Sequence, residues 1–198
     1  MNLVLASASP RRRELLTQAG YTFSVHPAHI PEDPLPNEDP IAYVVRLARR
    51  KAETVFCEIT KASASGERAS AAPQVVLGAD TTVVVENQIL AKPVDAADAA
   101  RMLRLLSGRT HRVITGVAVV TAHRTEVAAE VTGVRFLTLS EEDIAAYIAT
   151  GEPMDKAGAY AIQGRAARWI PRITGDYFNV VGLPLALVST MLQAIRNE

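Results

Sequence analysis

A cluster of serine and arginine side chains near the start of the chain is the first pattern with chemical meaning. The segment SASPRRREL, residues 7–15, follows an apolar run at residues 3–6 that predicts a buried strand. Ser9 and Pro10 are typical of the cap and first residue of a helix. A helix N-terminus favours anions, and guanidinium groups suit phosphate oxygens. Ser7, Arg11 and Arg12 therefore indicate an anion site, with a capped helix carrying solvated arginines as the alternative.

A lysine falls on the apolar face of the second predicted helix, which is expected from residue 39 to about residue 56. At 100° per residue, Lys51 lies among Val44, Ala48 and Val55. An ammonium group there has to extend to solvent, form an ion pair or contact a ligand, because an unpaired buried charge is costly. A structural salt bridge and a ligand-binding role both remain open for Lys51.

A single carboxylate interrupts a β-branched stretch that otherwise predicts strands at residues 75–77 and 82–85. Asp80 is unfavourable there unless it is paired, binds a metal ion or borders a cleft. The alternative is a turn-forming aspartate after Gly78. Asp80 is the strongest single candidate for a functional residue.

Two acidic residues have the donor type that suits a divalent cation bridged to phosphates. Glu32 and Asp80 supply hard oxygen ligands of the kind that Mg²⁺ and Mn²⁺ prefer. Glu32 lies in a proline-rich acidic segment, and a solvated acidic loop explains it equally well.

Two further lysines lie beside small or conformationally special residues. Lys92 precedes Pro93, and Lys156 lies within the segment DKAGAY at residues 155–160. A backbone could approach a ligand closely at such positions. Neither lysine is informative alone, because exposed lysines are common.

The sequence lacks the motifs of several other kinds of catalytic, nucleotide-binding and metal site. The four histidines, at positions 26, 29, 111 and 123, have no triad or metal-site spacing, and neither a P-loop nor a GxGxxG motif is present. Cys57 is the only cysteine, so an intramolecular disulfide is impossible and a zinc site has no partners for it.

Composition limits the class of protein. The chain has 198 residues, 48% of them hydrophobic, which predicts one domain spanning residues 1–198. The 21 basic and 21 acidic residues balance, which argues against a nucleic acid polymer as partner. The first residues lack the basic and long apolar regions of a signal peptide, and no run reaches the roughly 18 apolar residues of a membrane span. We therefore expect a cytoplasmic protein without membrane contact.

The element pattern predicts an α/β fold. Strands are expected at residues 3–7, 75–77, 82–85, 112–121 and 126–139, and helices follow caps at Ser9, Asp39, Asp95 and Ser140, with a last helix at about 184–195. The aperiodic segment TKASASGERASAAP, residues 60–73, predicts a flexible surface insertion without chemistry of its own.

Several ordered motifs resemble the Maf family of nucleoside triphosphate pyrophosphatases. The similarity covers nearly the whole chain and rests on LASASPRRRELL, YVVRLARRKA, LGADTTVVV, LAKPVD, LSGRTHRVITGV, DKAGAYAIQG and NVVGLP. It implies a single mixed α/β domain of two lobes around a central elongated sheet, with the nucleotide cleft between the lobes. It also implies a homodimer and hydrolysis between the α- and β-phosphates with a divalent cation, Mg²⁺, Mn²⁺ or Co²⁺.

The resemblance also assigns roles to individual residues. The family's phosphate-binding positions correspond to Ser7, Arg11, Arg12, Lys51, Lys92 and Lys156. Asp80 corresponds to the catalytic acid, and Glu32 corresponds to an acidic position after the first loop. The chain is similar to the branch acting on dTTP and UTP at Arg12, Thr81 and Gln163, which implies that these three residues determine base specificity.

The sequence leaves other functions open. Maf-like proteins are also associated with inhibition of septum formation and cell division, so a non-enzymatic interaction protein is one alternative. A nucleic acid binder that uses residues 11–13 is another, although the neutral charge and the lack of interleaved aromatic residues argue against it. A third keeps the reaction but changes the substrate to a modified pyrimidine nucleotide.

Overall fold

The computed structural model describes residues 2–64 and 74–196. Within these residues the helices are α1 Pro10–Gln18, α2 Pro40–Ala64, α3 Ala96–Leu106, α4 Glu141–Ile148, α5 Tyr177–Val181 and α6 Leu185–Arg196. The strands are β1 Asn2–Leu5, β2 Phe23–Val25, β3 Gln74–Val85, β4 Gln88–Leu90, β5 Thr110–Val120, β6 Thr125–Arg135 and β7 Arg172–Thr174. Three short 3-10 helices at Glu152–Asp155, Ala157–Ala159 and Arg165–Trp169 follow α4.

The strands form one mixed sheet in the order β2-β1-β3-β5-β6-β7, with β4 paired to β3. β1 is parallel to β2 and to β3, whereas the β3–β4 and β6–β7 pairs are antiparallel. The seven-stranded sheet with its helices confirms the predicted α/β class.

The chain forms two compact units. The first comprises Met1–Asp80, Thr115–Glu130 and Gly182–Glu198. Part of its core joins small and β-branched residues of α2 to the sheet: Val4, Ala6, Ala48, Ala52, Val55, Val76, Ala118 and Val120. The small side chains let the helix pack closely on the strands.

The second unit comprises Thr81–Ile114 and Val131–Val181. Its core contains the rings of His111, Phe136 and Tyr160, which pack edge to face with centroids 4.9 to 5.3 Å apart. Such arrangements are favoured by the charge distribution of aromatic rings. Tyr147 and Trp169 form another edge-to-face pair in the same core, at 5.3 Å.

The caps at Ser9, Asp95 and Ser140 are confirmed, because each side chain accepts a hydrogen bond from the backbone N–H three residues later. Asp39 accepts hydrogen bonds from the N–H groups of Ile41 and Ala42, which confirms the predicted start of α2.

The predicted end of α2 near Phe56 is wrong. The helix continues to Ala64 and therefore includes the first five residues of the segment assigned to an insertion. This stretch has no glycine or proline, and Lys61 lies in the last turn, where a cation interacts favourably with the helix dipole. Residues 65–73 of the predicted insertion lie outside the described residues.

None of the helices within residues 2–64 and 74–196 combines the length and apolar character that a membrane span requires.

Candidate functional site

One buried ammonium group is shared by two carboxylates in the first unit. Lys51 Nζ lies 2.7 Å from Asp80 Oδ1 and 2.5 Å from Glu32 Oε1. Lys51 and Asp80 are each only 7% exposed, whereas the Glu32 side chain is 52% exposed. The structure thus brings together three residues that the sequence singled out separately. Lys51, on the apolar face of α2, and Asp80, in the β-branched stretch, are each paired with an opposite charge.

The backbones of β3 and α2 explain why Lys51 and Asp80 lie so close together. β3 is continuous from Gln74 to Val85, so Asp80 lies within a strand, and the alternative of a turn-forming aspartate is wrong. Gly78 lies against α2: a Cβ there would be 2.9 Å from the backbone nitrogen of Ala52 and closer still to the carbonyl oxygen of Ala48. Only glycine permits this approach, which places the Lys51 face of α2 over β3.

Burial governs the electrostatics of Asp80. Loss of solvent raises the pKa of the Asp80 carboxyl above its ordinary value, and the nearby cations of Lys51 and Arg12 oppose that rise. A carboxylate with a raised pKa is a better proton acceptor than an exposed one.

Arg12 is held by backbone carbonyl groups close to Asp80. Its Nε donates to the carbonyl oxygen of Gly182 at 2.8 Å, and one terminal nitrogen donates to the Ala79 carbonyl at 2.9 Å. The same nitrogen is 3.2 Å from Ser7 Oγ. Burial lowers the pKa of Arg12, and the Asp80 charge opposes this effect. Arg12 therefore connects α1 to the segment of β3 that carries Asp80.

The start of α1 positions the remaining residues of the first motif. Ser7 is buried directly beyond β1, and its Oγ accepts from the N–H of Ser9 at 3.2 Å. Ser9 caps the helix by accepting from the Arg12 N–H at 3.5 Å. Arg11 is partly exposed, and its positive charge contributes to lowering the Arg12 pKa. The serines, arginines and the Lys51 cluster thus all belong to the first unit.

The other predicted site residues belong to the second unit. Thr81 follows Asp80 on β3, Lys92 is exposed, and Lys156 is partly buried and forms an ion pair with Asp155. Gln163 is exposed in a turn before the last 3-10 helix.

A family model described as "Maf-like protein" matches residues 2–195. The chain belongs to the Maf family.

Curated relatives support the same grouping over nearly full length. A Koribacter versatilis protein is 52% identical over 193 residues, covering 98% of this chain and 94% of the relative. A Symbiobacterium thermophilum protein is 51% identical, and the match covers 96% of this chain and 92% of the relative. A Geobacter sulfurreducens protein is 52% identical, and the match covers 98% of this chain and 96% of the relative. All three relatives are named dTTP/UTP pyrophosphatase.

The carboxylates of this Maf protein have the donor chemistry that a divalent cation needs. Residues 2–64 and 74–196 contain no group of three His, Cys, Asp or Glu side chains that could hold a metal ion by themselves. Glu32 and Asp80 nevertheless converge on one cation, the ammonium group of Lys51. Two hard oxygen donors fit Mg²⁺ or a similar ion whose other ligands are water and substrate phosphates.

Sequence reasoning missed the residues that hold the Glu32 loop of this Maf protein. The Tyr43 hydroxyl donates to the carbonyl oxygen of Glu32 at 2.9 Å, and burial raises the pKa of Tyr43 to about 12, which keeps it a donor. Arg46 binds both carboxylate oxygens of Glu38, at 2.6 and 2.7 Å, and the Asp33 carbonyl at 3.2 Å. The only signal in the sequence was the position of Tyr43 and Arg46 within one turn of each other.

Proposed function

We propose that this Maf protein is a nucleoside triphosphate pyrophosphatase that hydrolyses dTTP and UTP to the nucleoside monophosphate and pyrophosphate. The observation that carries the proposal is the buried Lys51–Asp80 pair with Glu32 beside it, because desolvated charges of this kind are typical of sites that handle phosphates. Relatives about half identical in sequence and named dTTP/UTP pyrophosphatase support the same reaction.

The proposed phosphate-binding residues are cationic or hydroxyl side chains: Ser7, Arg11, Arg12, Lys51, Lys92 and Lys156. Arg11 adds charge at the start of α1, where the N–H groups and the helix dipole also favour an anion, and Lys51 adds a buried ammonium group in the same unit. Their role is to stabilise the charge that develops on the pyrophosphate leaving group. Lys92 and Lys156 enter the proposal from their match to the family motifs.

The proposed chemistry is attack by water on the α-phosphorus. A bond forms between the water oxygen and the α-phosphorus, and the bond to the oxygen bridging the α- and β-phosphates breaks. Asp80 accepts the proton of the attacking water, in keeping with its raised pKa. When bound, a divalent cation such as Mg²⁺, Mn²⁺ or Co²⁺ would be held by Glu32 and Asp80 and would supply charge neutralisation for the phosphates.

The proposed base specificity depends on Arg12, Thr81 and Gln163. The carboxamide of Gln163 offers one donor and one acceptor, which match the imide edge of uracil or thymine. Cytosine presents a different edge and leaves a polar group unpaired, so it is rejected. Arg12 and Thr81 enter through the similarity to the dTTP and UTP branch.

The test is pyrophosphate release from dTTP, UTP, CTP, dCTP, ATP, GTP and 7-methyl-GTP, with Mg²⁺ or Mn²⁺. We expect release from dTTP and UTP, and a fall of about 10² to 10⁴ in kcat for Asp80→Asn, the range for loss of a positioned proton acceptor. Asp33→Asn, which changes an exposed acid of the Glu32 loop, is the matched control and should retain activity within about twofold.

Two results would count against the proposal. Full activity in Asp80→Asn would remove Asp80 from the centre of the reaction. Absence of pyrophosphate release across the panel would favour the non-enzymatic interaction protein. The cytoplasmic location, the homodimer and the absence of nucleic acid and membrane partners stay predictions from the sequence.

A further inference from the structure

The turn that carries Gln163 is tied down at both ends by two side chains. The hydroxyl of Tyr147 accepts from the Ala161 N–H at 3.2 Å, before Gln163. The carboxylate of Glu152 accepts from the Arg165 N–H at 3.1 and 3.2 Å, after Gln163. The Tyr147 hydroxyl also donates to Glu152 Oε1 at 2.7 Å, so one hydrogen-bonded pair, the Tyr147–Glu152 clasp, holds both ends.

The clasp is itself fixed to the second unit. Tyr147 is 1% exposed and packs edge to face on Trp169. Thr150 Oγ1 donates to the Tyr147 carbonyl at 2.6 Å and accepts from the Glu152 N–H at 3.2 Å. The end of α4 and the clasp therefore form one hydrogen-bonded assembly.

The turn fits the clasp closely. The Gly164 N–H donates to the Ala161 carbonyl at 3.1 Å, which closes the turn around residues 162 and 163. A Cβ on Gly164 would overlap the Glu152 carboxylate, so a larger residue would displace either the turn or the clasp. Gly164, the last residue of the segment DKAGAYAIQG, therefore fits against Glu152 because it has no side chain.

The backbone of this turn determines where Gln163 points. Gln163 is exposed, in contrast to the buried Tyr147, so the protein core does not set its direction. A side chain that presents a donor and an acceptor to a flat base edge needs a defined starting direction, because misplacement weakens both hydrogen bonds. The clasp supplies that direction through the backbone atoms of Ala161 and Arg165.

We infer that Glu152 and Tyr147 are positioning residues for base discrimination, which fix the turn so that Gln163 presents its carboxamide to the pyrimidine. The inference rests on the proposed function, in which Gln163 distinguishes uracil and thymine from cytosine. Neither residue touches the substrate, and both act through the backbone of the turn.

The experiment compares kcat/KM for UTP with kcat/KM for CTP in the full chain. We expect Gln163→Ala to lower this ratio about tenfold, and Glu152→Ala to lower it about fivefold, mainly through a higher KM for UTP. Glu152→Gln keeps one oxygen for the two donors and should restore the ratio to within about twofold of the wild type. In the double variant Gln163→Ala/Glu152→Ala, the ratio should fall no further than in Gln163→Ala, because both changes remove one function.

Two further variants separate positioning from loss of folding. Glu141→Ala removes an exposed carboxylate that pairs with Arg104, and its ratio should stay within about twofold. Tyr147→Phe keeps the ring and removes only the hydroxyl, so it serves if Glu152→Ala fails to fold; we expect its ratio to fall about threefold.

The outcomes distinguish the positioning role of the clasp from base selection by Gln163. A lower ratio in Gln163→Ala together with unchanged ratios in Glu152→Ala and Tyr147→Phe overturns the positioning role and leaves base selection by Gln163 intact. An unchanged ratio in Gln163→Ala overturns base selection by Gln163 and the positioning role with it. A lower melting temperature without a change in ratio marks the clasp as merely structural and overturns the inference.

Discussion

The residues that matter most in this protein are polar groups in apolar surroundings. Lys51 and Asp80 were recognisable because a charge within an apolar pattern requires a partner, and each is the other's partner at 2.7 Å. Removing Lys51 would leave the buried Asp80 carboxylate with a weaker counter-charge, that of Arg12. Position within the hydrophobic pattern was therefore more informative than residue type alone.

His111 is a second buried polar residue, with a different consequence. It is 2% exposed, its Nε2 lies 2.8 Å from the Tyr160 hydroxyl, and its Nδ1 has no hydrogen-bond partner among the described residues. Burial lowers the pKa of His111 from 6.5 to about 3. The residue is thus neutral near pH 7 in the folded protein and contributes to the core through its ring.

This lowered pKa predicts a loss of stability in acid. Between pH 6.5 and about 3 the unfolded chain binds a proton that folded His111 does not, so the free energy of unfolding falls as the pH is lowered. Above pH 6.5 His111 is neutral in both states and does not lower the free energy of unfolding. At pH 4 its titration lowers the free energy of unfolding by about 3 kcal/mol. In His111→Gln the difference in unfolding free energy between pH 7 and pH 4 should shrink by about that amount.

Urea unfolding at several pH values measures this difference. His123→Gln is the matched control, because His123 is exposed in the connection between β5 and β6. Equal pH dependence in His111→Gln and the wild type would contradict the prediction.

At the scale of elements, two glycines let α2 lie against the sheet. Gly78 of β3 faces Ala48 and Ala52, and a Cβ on Gly116 of β5 would lie 2.7 Å from the backbone nitrogen of Val45. Both positions lack room for any side chain. The helix α2, which carries Lys51, can therefore lie close to the strands because these two glycines have no side chains.

Gly78→Ala should consequently damage both stability and activity. The methyl group would push α2 away from β3 and lengthen the distance between Lys51 Nζ and Asp80 Oδ1. We expect a loss of about 2 to 3 kcal/mol in unfolding free energy and a fall of about tenfold or more in kcat/KM for dTTP.

Gly20→Ala is the control for this prediction. Gly20 has a positive φ of 79° but nothing within 4 Å of the site of a Cβ, so an alanine there adds only backbone strain. Gly20→Ala should lower the free energy of unfolding by about 1 kcal/mol and leave kcat/KM for dTTP within about twofold of the wild type. Equal activity in the two variants would show that the spacing between α2 and β3 does not matter to the reaction.

At the scale of the whole molecule, charge is balanced. The net charge is zero, and the buried Lys51 is itself paired with Glu32 and Asp80. A small anion needs only a few positioned cations and N–H groups, such as those at the start of α1, whereas a long nucleic acid responds to an extended basic surface. The balance therefore favours a nucleotide over a polymer as the anionic partner.

This balance predicts that duplex DNA does not compete with the nucleotide. A twenty-base-pair duplex at micromolar concentration and about 0.15 M salt should leave kcat/KM for dTTP within about twofold, since few counterions would be released on binding. Steady-state kinetics with and without the duplex provides the measurement. Competitive inhibition that weakens as salt is raised would reveal a nucleic acid surface.

The sequence by itself determined the α/β class, the helix caps and the identity of the charged residues. These features depend on local patterns: a cap needs a side chain three residues before an N–H group, and a buried face needs apolar residues at helical spacing. Asp80 was identified in the same way, from its β-branched neighbours. Even locally the reasoning was incomplete, because the alanines and Lys61 beyond Phe56 allowed α2 to continue to Ala64.

Only the tertiary structure decided which of these residues meet. Glu32, Lys51 and Asp80 come from three separate segments, and their convergence depends on the close approach of α2 at Gly78. The Tyr147–Glu152 clasp likewise joins the end of α4 to the turn of Gln163. Such contacts depend on packing between elements and on backbone groups that every residue carries, so they leave no mark in the local sequence pattern.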